Sequence, residues 1–213
     1  MDSNGLFLGL GNPTPEYAGT RHNFGFMLAD ALVALCRDKG DVTPLSGGKG
    51  KYEAWRCRIP LSGKQAKSTW IVAKPLTFMN KSGEAAVRLL HYYRIPITSL
   101  FVAHDELDLP LGAMRLKLGG GAAGHNGIRS IAELAGTQEF YRLRLGIGKP
   151  AGYDVPSFVL GAFSQGEQGL VSDVIQAALT GFFRFCSDGL GKAQQEMHAF
   201  HPEKPCSVSL RTM

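Results

Sequence analysis

Five polar clusters interrupt the apolar runs of this chain, each close behind a short hydrophobic stretch. They are Gly11-Asn12-Pro13, Thr20-Arg21-His22-Asn23, Phe78-Met79-Asn80, His104-Asp105-Glu106-Leu107-Asp108 and Gly124-His125-Asn126-Gly127. Singly, each has an ordinary explanation, since Asn beside Gly makes turns and a His before a helix often caps it. Gathered at one edge of a sheet they would make a site, because open α/β sheets bind ligands beyond the carboxyl ends of their strands. The residue types suit acyl transfer to water. That chemistry requires a base near neutral pKa, a group that orients it, and donors for an oxyanion. His22, Asp105 and the amides of Asn12, Asn80 and Asn126 could supply all three. No Gly-x-Ser-x-Gly and no reactive cysteine context occurs, so direct attack by water is more natural than a covalent intermediate.

Other chemistries fit less well. Gly119-Gly-Gly121-Ala-Ala-Gly124 matches the dinucleotide pattern Gly-x-Gly-x-x-Gly between a strand and a helix. No acidic residue ends the following strand, where a ribose would be held, and Gly9-Leu-Gly11 has Thr14 in place of a third glycine. Residues 46–51 hold glycines and lysines without the Walker order. A metal site could draw on His22, His104, Asp105, Asp108 and His125, yet no pair has His-x-x-x-His or His-Glu-x-x-His spacing. Neighbours on a strand point to opposite faces, so one of His104 and Asp105 is turned away. We favour Asp105 facing the site, although parity leaves the choice open. No cofactor and no metal are expected.

The elements that must position these residues follow from periodicity. Residues 6–10 form a buried strand that stops at Gly11-Asn12-Pro13. Phe24, Leu28, Ala31, Leu32 and Leu35 fall at helical spacing, with Asn23 as N-cap and Gly40 past the end. Trp55, Cys57 and Ile59 alternate as a strand, residues 70–73 make another, and Ala86, Leu89, Leu90 and Tyr93 a second helix. Residues 100–103 read as a strand ending at His104. Met114, Leu116 and Leu118 alternate with Arg115 and Lys117, which gives a strand with one basic face. After the glycine loop 119–127 comes a helix with Ile128, Ile131 and Ala135. The next strand sets Leu143, Leu145 and Ile147 against Arg142 and Arg144. One long helix is expected from Gln165 to about Phe200. Alternating strands and helices, with two hairpin-like strand pairs, argue for a single three-layer α/β domain with a mixed central sheet flanked by helices. It spans residues 1–198, and 199–213 read as a flexible tail.

Composition narrows the class. The chain has 213 residues, 44% hydrophobic and 19% charged, enough to fill one core and too weakly charged for disorder. No run reaches the roughly 20 apolar residues of a membrane span, and MDSNG carries no basic leader. A cytoplasmic protein without a membrane partner is expected. Lys and Arg exceed Asp and Glu by 23 to 18, a surplus that suits a polyanion without demanding one. Cys36, Cys57, Cys186 and Cys206 lack Cys-x-x-Cys spacing and read as free thiols.

Several longer motifs occur together. They are Gly9-Leu-Gly-Asn-Pro-Thr-Pro-Glu-Tyr17, Thr20-Arg-His-Asn23, Lys74-Pro-Leu-Thr-Phe-Met-Asn80, His104-Asp-Glu-Leu-Asp108, the loop ending Gly-His-Asn-Gly127, and Arg142-Leu-Arg-Leu-Gly-Ile-Gly148. In this order and spacing, over about residues 5–190, the chain resembles the bacterial-type peptidyl-tRNA hydrolases. The resemblance implies hydrolysis of the ester between a peptide and the 3′ end of tRNA. It implies His22 as base for water and Asp105 as the group that orients and polarises it. Asn12 and Asn80 would hold the peptidyl group and the histidine, and Asn126 would contact substrate and water, as oxyanion donor. Tyr17 and Met79 would line the peptide cleft, and Lys117 and Arg144 would clamp the tRNA 5′-phosphate. The protein is expected to act as a monomer on peptidyl-tRNA. The competing reading is a non-catalytic RNA-binding protein on the same scaffold, which would be free to lose His22, Asp105 and the three asparagines. A nucleotide-dependent enzyme ranks third.

Overall fold

The computed structural model describes residues 3–46, 51–61, 66–149, 152 and 154–202. Its centre is a seven-stranded mixed sheet of β1 (Gly5–Gly9), β2 (Val42–Leu45), β3 (Tyr52–Pro60), β4 (Lys67–Pro75), β5 (Leu100–Glu106), β6 (Met114–Leu118) and β7 (Tyr141–Gly146). The order across the sheet is β2-β3-β4-β1-β5-β7-β6. β1 runs parallel to β4 and β5, and β7 parallel to β5, while β2, β3 and β6 run antiparallel to their neighbours. The ends of β1 and β5 therefore lie side by side, and the loops that leave them meet.

Side chains alternate between two cores, as the pleat requires. Phe7 and Phe101 point to one face, covered by α1 (Phe24–Asp38), α5 (Gln165–Asp188) and α6 (Leu190–His198). Leu8 and Val102 point to the other, covered by α2 (Ser82–Tyr93) and α3 (Asn126–Ala135). A short helix, α4 (Val155–Val159), precedes α5. Phe182 of α5 is fully buried, its ring 4.8 Å from Phe7, 5.0 Å from Phe101 and 5.1 Å from Trp70. Burial of one such side chain contributes about 1.5–3 kcal/mol, and this one ties α5 to three strands.

The structure departs from the periodicity at four places. β2 lacks an apolar run and holds Pro44, which an edge strand tolerates because it forgoes only outward bonds. β5 continues through the polar residues His104, Asp105 and Glu106, all buried, because β7 pairs with it as far as Glu106. The long C-terminal helix is two helices, broken at Gly189 with φ +80° and ψ −173°, backbone that a side chain would make costly. Asn23 occupies the N-cap position of α1 but makes no capping bond with its side chain, which is engaged elsewhere. Phe200 packs against the first core, and residues 203–213, with Cys206 and most of the expected tail, lie outside the described residues. Among the described residues no helix is long and apolar enough to cross a membrane.

Candidate active site

The site forms where β1 and β5 end. A single-turn helix, Arg21–Asn23, leads from the β1 loop into α1. Gly25 lets α1 seat directly on the strand ends, since a Cβ there would fall on the Ala103 carbonyl oxygen and the Leu10 backbone. That close approach places His22 beside Asp105. His22 Nδ1 lies 2.9 and 3.1 Å from the two carboxylate oxygens of Asp105. His125 Nε2 lies 3.0 Å from Asp105 Oδ1, and the two imidazole rings are 5.2 Å apart. The side chains are 12%, 3% and 9% exposed for His22, Asp105 and His125.

The protons can be placed from these bonds. Burial by itself would push the Asp105 carboxyl up, but the electrostatic pull and hydrogen bonds of His125 and His22 outweigh it and hold the carboxyl well below its ordinary range. An ionised carboxylate only accepts, so both imidazoles donate to it. His125 Nδ1 accepts the backbone N–H of Ile128 at 3.3 Å as the N-cap of α3, which independently puts the His125 proton on Nε2. His22 then carries its proton on Nδ1 and keeps the lone pair on Nε2. A neutral imidazole in that tautomer, facing a cleft, can take a proton from water.

His104 lies on the opposite face of β5. Its Nδ1 donates to the Asp105 carbonyl oxygen at 2.7 Å, and its ring stands 4.7 Å from that of His125. Burial, with the neighbouring His125 ring, keeps His104 well below the usual imidazole range against the opposing pull of Asp105.

The amides are held with equal care. Asn23 Oδ1 accepts the Asn12 backbone N–H at 2.8 Å, and Asn23 Nδ2 donates to the Asn12 carbonyl at 2.9 Å. Asn12 Oδ1 in turn accepts the Met79 N–H at 2.9 Å, so three loops are sewn together and the Asn12 amide is fixed. Asn126 Oδ1 accepts from Arg129 at 2.9 Å, which leaves its Nδ2 as the donor. Asn80 is exposed and makes no hydrogen bond with its side chain among the described residues. Neither Asn12 nor Asn80 bonds to His22.

Asn12, His22, Met79, Asn80, Asp105 and Asn126 all line one cleft of about 600 Å³, with His125 among them. Its walls are largely apolar, with Phe78 and Met79, Val155 and Val159 of α4, and Leu160 just past that helix. Arg21 anchors the α4 wall. Its guanidinium donates to Ala162 O at 2.8 Å and to both Glu167 oxygens at 3.1 and 2.9 Å, and lies 4.5 Å from the Phe158 ring. Tyr17, Lys117 and Arg144 do not line the cleft. Tyr17 is half-buried in the turn Pro15–Tyr17.

Lys117 and Arg144 share a face of the sheet, since Lys117 pairs with Arg142 and Arg144 stands two residues on. Arg144 Nε donates to Glu106 Oε2 at 2.7 Å, whereas Lys117 makes no ion pair among the described residues. Burial, with Arg144 and Arg142, pushes the Lys117 ammonium down, partly offset by Glu106. Arg142 is fully buried and donates to the Gly121 and Gln138 carbonyls at 2.8 and 3.2 Å, which anchors the glycine loop.

Reading by spacing passed over His125 as an Asp105 partner, and Asn23, Arg21 and Arg129 as supports. The sequence offered His125 only as a helix cap or a metal ligand, not as a partner of Asp105. The same histidine shows why spacing is a weak test for metals. Donor atoms of His22, Asp105 and His125 lie within 4.8 Å of one another, the one such His/Cys/Asp/Glu group among the described residues. An ion there would have to displace the protons that both imidazoles give to Asp105.

A family model described as peptidyl-tRNA hydrolase matches residues 6–205. Peptidyl-tRNA hydrolase of Oleidesulfovibrio alaskensis is 52% identical over 201 residues, covering 93% of this chain and 98% of that protein. The Nitratidesulfovibrio vulgaris protein of the same name is 50% identical over 205 residues, 95% of this chain and all of that one (100%). Among solved structures, peptidyl-tRNA hydrolase from Acinetobacter baumannii superposes with a TM-score of 0.80 at 35% identity, over 95% of this chain and 98% of that one.

Proposed function

The chain belongs to the peptidyl-tRNA hydrolase family, and on that premise we propose that His22 is the base of its reaction and Asp105 the group that orients it. The activity is hydrolysis of peptidyl-tRNA, an ester hydrolysis that releases tRNA. His22 Nε2 takes a proton from water as the water oxygen attacks the ester carbonyl. Asp105 stabilises the imidazolium that forms. The tetrahedral oxyanion receives a hydrogen bond from Asn126 Nδ2. Collapse breaks the bond to the ribose oxygen of the tRNA, and the imidazolium returns its proton to that leaving group. Water is consumed and a free peptide acid and a tRNA hydroxyl are formed.

Asn12 and Asn80 hold the peptidyl group, and Met79 lines its cleft. Tyr17 lies outside the lining, so its contact would be with the part of the peptide that leaves the cleft. Lys117 and Arg144 take the 5′-phosphate of the tRNA acceptor end, Arg144 with the guanidinium nitrogens that Glu106 leaves open. Residues 1–198 act as the catalytic domain, followed by the tail 199–213. The protein works as a monomer in the cytoplasm, without cofactor or metal.

The observation that carries this reading is Asp105 receiving both His22 and His125, with His22 Nε2 left basic at an apolar cleft. The deciding assay is release of N-acyl amino acid from N-acyl-aminoacyl-tRNA by the purified chain after dialysis against a chelator. Turnover unchanged by chelation is expected. Loss restored by zinc or magnesium would return the metal to the reaction, and no release at all would end the hydrolase reading.

A further inference from the structure

The two edges of the sheet are treated differently. At one edge, β2 turns Pro44 outward, a common way to blunt an edge. At the other, β6 is met by two side chains of α6. Leu116 N–H donates to His198 Nε2 at 3.1 Å, and Gln194 Nε2 donates to the Leu116 carbonyl at 3.0 Å. Gln194 and His198 stand four residues apart, on one face of the helix, and together bind both outward backbone groups of a single residue. Leu116 faces Leu143 of β7 in the antiparallel pair, so these are the groups that β7 does not use.

The residue so held lies between Arg115 and Lys117. Edge protection alone would be served by any cover along the strand. Here the contact is specific to one peptide and chemically exacting, because His198 must present an unprotonated Nε2. Its surroundings favour that state, since burial and the charge of Arg115 push the imidazole down. Beyond Leu116, β6 continues only to Leu118 before the glycine loop begins. Lys117 thus pairs with Arg142 of β7 and directly follows the residue that α6 holds.

We propose that Gln194 and His198 are positioning residues for Lys117, holding β6 so that the lysine and Arg144 present one site to the substrate's terminal phosphate. The inference rests on the reading of Lys117 and Arg144 as that phosphate site. It extends the recognition machinery to the last turn of α6, which does not line the cleft. The effect belongs to substrate capture, so it enters KM.

The test compares N-acyl-aminoacyl-tRNA carrying a 5′-phosphate with the same substrate after phosphatase treatment, using the full chain. The variants are Lys117→Ala, His198→Leu, His198→Gln and the Lys117→Ala/His198→Leu pair. His198→Leu should lower the kcat/KM preference for the phosphorylated substrate about fivefold to tenfold through KM, the scale of one lost hydrogen bond. His198→Gln, whose amide oxygen can accept from Leu116, should restore most of it. In the double variant His198→Leu should cost nothing beyond Lys117→Ala. Hydrogen exchange at the Leu116 amide supplies a second measure, with protection lost in His198→Leu and kept in His198→Gln. If Lys117→Ala abolishes the preference while His198→Leu leaves it whole, this inference alone falls. If Lys117→Ala leaves the preference intact, the phosphate reading fails and takes this inference with it.

Discussion

Asp105 and Glu106 are adjacent carboxylates on one strand, and the pleat sends them to different tasks. Asp105 is buried among imidazoles and accepts from His22 and His125. Glu106 is also buried, but it meets Arg144 at the start of a basic strip that includes Lys117 and Arg115. On the first side three groups lock one another's protons in place, so the geometry of one bond sets the basic nitrogen. On the second side Arg144 is paired with Glu106 while Lys117 makes no ion pair among the described residues. On the proposed reading, the comparison separates chemistry from capture. Low dielectric strengthens a satisfied network, whereas half-solvated cations keep a longer reach and lose it to salt.

Removing the proposed base tests the first side most severely. His22→Ala should lower kcat about 10²–10⁴-fold, the range of a general base, with the fold and tRNA affinity retained. Residual activity within about tenfold of wild type, ~1.4 kcal/mol of barrier, would mean that another group activates water.

Asp105→Asn should come next. The amide can accept from one imidazole but turns its NH₂ toward the other, so at least about a hundredfold in turnover should be lost. The removed negative charge is one that favours the imidazolium, so the acid limb of the kcat/KM profile should move to lower pH. An unshifted limb in well-folded protein would separate Asp105 from the base. Stability adds a signed check. The folded carboxyl titrates below its ordinary value of 3.8, so its contribution is present above that value and fades as pH falls through the depressed one. The gap in Tm between wild type and Asp105→Asn should therefore be widest near neutrality and narrow at strongly acid pH.

His125→Asn keeps an N-cap acceptor for α3 while removing the second donor to Asp105. A roughly tenfold loss in kcat, ~1.4 kcal/mol, is expected with little change in KM. Wild-type kcat in this variant would reduce Asp105 to a partner of His22 alone.

The second side should respond in another way. Lys117→Ala should weaken reaction of 5′-phosphorylated substrate by roughly 1.5–3 kcal/mol at low salt, and less as salt is raised. Dephosphorylated substrate should barely notice. Equal losses on both would place the lysine's role elsewhere, and insensitivity to salt would erase the contrast with Asp105.

Local pattern carried much of this protein. Hydrophobic runs and periodicity located β1, β6, β7 and α1–α3, and the polar clusters after strand ends contained eleven of the residues that line the cleft. It was blind where a partner is distant. The final residues of β5 look like a loop because they are polar, and only pairing with β7 makes them strand. Pro44 argues against a strand unless one knows it lies at an edge. Asn23 has the residue type and place of a helix cap, yet its amide clamps Asn12.

By itself, then, the sequence determined the alternation of elements, the family motifs, and the types of group available at the strand ends. These are local properties, readable from periods of two and 3.6 residues and from loop composition. The tertiary structure decided which groups meet. Residues 22, 105 and 125 come together because β1 lies beside β5 and α3 begins over their ends, a consequence of strand order that no spacing reveals. It also decided the proton positions, since His125 is set by the Ile128 amide and His22 by an Asp105 carboxylate buried between two rings. A tautomer is a property of contacts, and contacts are made only when the chain has folded.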